Sequence, residues 1–160
     1  MKCLKLFGFS ILAAFLYAGA DPFVGTWKLD SDRSKFSSTG TSFMFATIQV
    51  ESAGSGLKST ASAADGEGLA SDFTFNSPLD GTPSKVIAAT SIRGSSAVDT
   101  VSLKRIDDHT ITATGSKNGR LVFSDKRVVS TDGMTMTMTR NGITPEGRKY
   151  QSTIVLVRFR

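Results

Sequence analysis

Arg105 and Lys126 are the side chains of this 160-residue chain best placed to do chemistry together. In the register implied by the flanking turns, both lie beside Ile111 on an otherwise apolar strand face, so their head groups converge near Met138. An unpaired charge there is costly, and the carboxylate or phosphate of an apolar ligand would remove the cost. The alternative is that both side chains lean out through a barrel mouth and are solvated. His109, the only histidine, sits in the turn Asp107-Asp108-His109, where either carboxylate would be able to orient it as a base. No H-x-x-x-H pair, acidic calcium loop or G-x-S-x-G elbow accompanies it, so it reads as a solvated turn residue. Gly54-Ser55-Gly56 and Gly66-Glu67-Gly68 are not followed by helical patterns and read as hairpin turns rather than phosphate cradles. A non-enzymatic protein without metal or cofactor is the expectation.

The elements that must position these residues are strands. From Asp30 onward there is no helical period, only short runs of Val, Ile, Thr and Phe broken by Gly, Asn, Asp and Pro. The pattern predicts strands over 24–30, 43–52, 56–64, 70–76, 85–92, 98–106, 110–116, 120–130, 134–140 and 149–159. The fold expected is all-β: a single antiparallel up-and-down barrel of eight to ten strands with no helical lid. Asn118-Gly119 is a two-residue hairpin signal that sets Lys117 opposite Arg120, hence Ala113 opposite Ser124 and Ile111 opposite Lys126. Thr131-Asp132-Gly133, read as a three-residue loop, sets Val128 opposite Met136 and Lys126 opposite Met138. A three-residue loop at Asp107-Asp108-His109 sets Leu103 opposite Ala113 and Arg105 opposite Ile111. The interior then collects Val101, Leu103, Ile111, Ala113, Val122, Val128, Met134, Met136 and Met138. Asp125, Arg127 and the threonines around them face solvent. The methionines suit either an adaptable apolar pocket or ordinary core filling.

The first twenty residues read differently. Lys2 and Lys5 precede an uncharged apolar run from Leu6 to Leu16, and Ala18-Gly19-Ala20 supplies small residues before Asp21. Residues 1–20 are therefore expected to be a cleaved signal peptide, leaving 21–160 as one barrel domain in the periplasm or outside the cell. Cys3, the only cysteine, leaves with the leader, which excludes disulfides and thiol chemistry from the mature chain. Loss of Lys2 and Lys5 lowers the formal +5 by two, and the remaining cations are scattered rather than gathered into a stripe. Nucleic acid is thus not an expected partner. A monomer with no membrane-spanning segment after cleavage is expected.

Phe23-Val24-Gly25-Thr26-Trp27-Lys28-Leu29 resembles the opening strand of fatty-acid-binding proteins and, in its G-x-W element, of lipocalins. The likeness is nearest to small exported bacterial lipocalin-like proteins. It rests on Asp21 to Leu29, Ser34-Lys35-Phe36, Val101 to Asp108, Val128-Val129-Ser130 and Asp132-Gly133 before Met134-Thr135-Met136-Thr137, and so spans nearly the whole mature chain. It implies a calycin barrel with an apolar cavity, and Trp27 as the indole that plugs its narrow end. The departures are informative. Asp30 to Ser42 is too short for the two-helix lid of fatty-acid-binding proteins. Their carboxylate-binding Arg-x-Tyr appears only as Arg158-Phe159-Arg160, so Arg158 alone carries over. The second lipocalin signature and its disulfide are missing.

Two functions follow from this reading. One is a carrier that holds a small apolar or amphipathic ligand, anionic if Arg105 and Lys126 converge inside, against Trp27, Arg105, Ile111, Lys126, Met136, Met138 and Arg158. The other is an envelope protein whose barrel is filled by its own side chains, Phe43, Phe45, Phe73 and Phe75 among them, and which acts through its outer surface.

Overall fold

The computed structural model describes residues 20–40, 42–68, 70–91, 98–144 and 146–159; apart from Ala20, the leader lies outside them. Ten strands follow in chain order: β1 Gly25–Lys35, β2 Phe43–Ala53, β3 Gly56–Asp65, β4 Ala70–Pro78, β5 Ser84–Ser91, β6 Thr100–Asp107, β7 Thr110–Lys117, β8 Arg120–Val129, β9 Thr135–Ile143 and β10 Lys149–Phe159. Each pairs antiparallel with its sequence neighbours, and β1 pairs with β10 to close the barrel. The expected up-and-down barrel is therefore the observed fold, at ten strands. β1 runs five residues further than 24–30 implies, because Ser34 joins the ladder through its hydroxyl: Oγ accepts from the Val155 N–H at 2.9 Å and donates to the Asp30 carbonyl at 2.6 Å.

One end is closed by chain. Asp21 to Val24 folds across it with the Phe23 ring buried, and Trp27, Leu57, Phe75, Leu103, Met136 and Leu156 are buried in the same core. Burying such aromatic and aliphatic side chains is the main stabilising term of the fold. Among the described residues, the seam between β5 and β6 is the least paired part of the wall. Ser84 pairs with Val101, Lys85 with Thr100, and the Val86 N–H reaches the Asp99 carbonyl.

The register of β6 on β7 is as expected, with Leu103 opposite Ala113 and Arg105 opposite Ile111. That of β8 is not. Lys117 does face Arg120 across a turn in which Asn118 and Gly119 both have positive φ, 50° and 74°. Beyond it Ser116 pairs with Leu121 and Gly115 with Phe123, so Val122 is an extra, bulged residue. Gly115 permits the bulge, since a Cβ there would collide with the Phe123 ring. At the other end the Ser130 N–H bonds to the Thr135 carbonyl, which makes the turn four residues, not three. The Asp132 carboxylate braces it, accepting from the Met134 N–H at 2.9 Å. Each change moves the pairing by one residue, and a one-residue slip exchanges the two faces of a strand. Ile111 thus faces Arg127 instead of Lys126, Ala113 faces Asp125 instead of Ser124, and Val129 rather than Val128 faces Met136. Asp125, Arg127 and Val129 are buried, while Lys126 and Val128 are exposed.

Candidate functional site

The inversion of β8 brings an ion cluster into the barrel. Asp125 stands opposite Arg140 of β9, whose guanidinium grips the carboxylate through Nε at 2.7 Å and Nη2 at 2.8 Å. Arg127, two residues along the same face, donates from Nη2 to the same carboxylate at 3.1 Å. Side-chain exposure is 0% for Asp125, 9% for Arg127 and 19% for Arg140. Arg127 Nε is buried with no hydrogen-bond partner. Two cations share one anion, which leaves an excess positive charge and an unpaired donor in the interior.

The surroundings fix this geometry. The Arg140 guanidinium lies 4.3 Å from the centre of the Phe123 ring, a cation–π contact that helps to position it. One level nearer the open end, Tyr150 lodges between Gly40 and Gly142, where neither backbone has room for a Cβ. Burial pushes the Tyr150 hydroxyl above its ordinary pKa, so it stays a neutral donor. Burial alone would raise the Asp125 carboxyl, but Arg140 and Arg127 outweigh it and hold that group below the usual carboxylate range. Burial opposes the charge of Arg127, yet a guanidinium does not give up its proton in a protein.

β3 and β4 lie five places round the ring from β8 and β9. Their inward row carries no charge and sets small residues against aromatic ones: Ser59 and Ala61 on β3, paired with Phe75 and Phe73 on β4. Phe73, Ala61 and Ile48 of β2 are only half-buried although they face inward. The interior is therefore two-sided, cationic on the β8–β9 wall and apolar opposite.

The residues singled out by sequence separate into three places. Ile111, Met136 and Met138 are buried in the core, the two methionines beside Val129 and Arg127. Trp27 and Arg158 are paired across the β1–β10 seam at the closed end. The indole N–H donates to the Phe23 carbonyl at 2.9 Å, and the Arg158 guanidinium sits 4.2 Å from the ring centre. Arg158 also donates to the carbonyls of Pro22, Val24 and Gly133, each at 2.6 Å. Each of its three nitrogens donates to backbone, so it ties the segment before β1 and the turn before β9 to the closed end. Arg105 faces the same end, where it is paired with the Asp21 carboxylate, donates to the Asp108 carbonyl and lies over Phe23. Lys126 points outward, so the expected meeting of Arg105 and Lys126 inside the barrel does not occur. The cations that β8 and β9 do turn inward are Arg127 and Arg140. The overlooked signal was Gly115, a glycine inside a strand and a mark of a bulge.

His109 also lies at the closed end, in a hollow lined by Asp21, Pro22, Arg105 and Asp108. Its Nδ1 is 3.1 Å from the Val129 carbonyl, an acceptor, so that proton is committed to backbone and neither Asp107 nor Asp108 orients the ring. No family model and no curated protein matches the chain. The barrel agrees with the fold that the lipocalin-like motifs imply without identifying the chain as a lipocalin.

Proposed function

We propose that this protein is a non-enzymatic carrier that holds an amphipathic anion, its head at Arg127 and Arg140 and its tail toward Ile48, Ala61 and Phe73. The observation that carries this reading is the unpartnered, buried Nε–H of Arg127 beside a half-neutralised pair of arginines. Leaving such a donor unpaired costs about 1–3 kcal/mol, and an entering carboxylate removes that cost. A ten-carbon acid, decanoate, is expected to bind at micromolar concentration, and decanol more weakly. Arg127→Met should weaken decanoate by about tenfold or more and leave decanol unchanged. Equal binding of the two probes, or indifference of decanoate to the substitution, would sink the reading.

A side-chain-filled barrel acting through its outer surface is the competing account. It draws support from the Phe36–Phe43 and Phe73–Phe75 ring pairs, 5.9 and 5.3 Å between centroids, which occupy interior space. Failure of every tailed probe to bind would favour it.

We also infer export with cleavage after Ala20, from the charged and apolar leader before Asp21. The intact mass of material recovered outside the cytoplasm should correspond to residues 21–160. A mass retaining residues 1–20 would overturn the inference.

A further inference from the structure

We infer that Asp125 sets the charge of the head group this barrel accepts, restricting it to singly charged anions such as a carboxylate or a sulfate ester and disfavouring a phosphate dianion. The inference rests on the carrier reading above.

Without Asp125, Arg127 and Arg140 would present two positive charges on neighbouring strands. With it, Arg140 is held by both carboxylate oxygens, Arg127 shares one of them, and the cluster is left with a single positive charge. A monoanion brings the interior to neutrality. A dianion leaves a negative charge out of water, and the penalty for desolvating an ion rises steeply with its charge.

The other inward groups do not alter this balance. β7 contributes Ile111, Ala113 and Gly115, and β9 contributes Met138. β10 offers the Tyr150 and Ser152 hydroxyls and Ile154. On β6, Arg105 is already matched by Asp21 at the closed end. With Asp125 held low and Tyr150 held high, the site keeps one charge state between about pH 5 and pH 8. A pH-dependent affinity in that range therefore reports the ionisation of the probe.

Three probes with the same ten-carbon tail decide the matter on the full protein: decanoate, decyl sulfate and decyl phosphate. The phosphate loses its second proton near pH 6, whereas the sulfate stays singly charged throughout. Decyl phosphate should match decyl sulfate at about pH 5 and fall about tenfold behind it by about pH 8. Asp125→Asn, which keeps the shape and removes the charge, should reverse the order at the higher pH. If that variant does not fold, the wild-type pH series carries the test alone. Phosphate affinity that is flat or rises with pH, while the sulfate still binds, overturns the assignment to Asp125 and leaves the carrier intact. Failure of all three probes removes the carrier and this inference with it.

Discussion

Replacing Trp27 with alanine is expected to lower stability by about 3–5 kcal/mol in urea unfolding, among the largest effects of any single truncation in the chain. The residue is 0% exposed and belongs to the buried cluster that also holds Phe23, Leu57 and Leu156. Truncation opens a cavity of indole size, strips the Phe23 carbonyl of its donor, and removes the ring under the Arg158 guanidinium. Arg158 would then be a cation bound only by carbonyls. A loss below about 1 kcal/mol would show that the closed end does not depend on the plug. Trp27→Phe separates the contributions, since it keeps most of the volume and loses the N–H.

The second large effect belongs to Asp125. Asp125→Ala leaves Arg127 and Arg140 buried without a counter-ion, and removing one member of a buried ion pair typically costs about 3–5 kcal/mol. The pH dependence follows from the sign of the shift. Because the folded carboxyl titrates below its unfolded value of about 3.9, its contribution is fully present above that value and is lost as pH falls through the lower folded one. The difference in stability between wild type and Asp125→Ala should therefore be constant near neutrality and shrink on the acid limb below about pH 4. A difference independent of pH would place the effect in packing rather than charge. Arg127→Met should behave in the opposite way. It leaves the Asp125–Arg140 pair matched and removes the orphan Nε–H, so stability should hold or rise while anion binding falls. A residue that weakens the fold and strengthens binding is the signature of a site maintained for a ligand.

Much of this architecture was legible in the sequence, because turns and alternation are local signals. Asn118-Gly119 marked its hairpin, and the runs of Val, Ile and Thr located nine of the ten strands to within three residues, β1 running five beyond its expected end. The face of β8 was not legible from the turns alone. Pairing register propagates along a strand, and the bulge at Val122 and the extra turn residue before Thr135 each exchange the two sides. Asp125 and Arg127 read as solvated charges for that reason, and Lys126 as one on the inward face. Gly25, with φ at 139°, lets the backbone turn sharply into β1, and it also leaves the space that the Arg158 guanidinium fills. That second role depends on a residue at the far end of the chain and has no local trace.

The closure of the ring bears on how the barrel forms. Every strand pair but one joins neighbours in the sequence and can zip from its own turn; β1 on β10 alone must bring together segments separated by nearly the whole chain. Loop entropy makes contacts of that span slow to form, so closure belongs to the late part of folding. Trp27 sits on that seam, directly opposite Arg158, and it is the only tryptophan. Part of its emission change during refolding is therefore expected to come late, as the first strand meets the last, after far-ultraviolet dichroism has followed the hairpins that precede it.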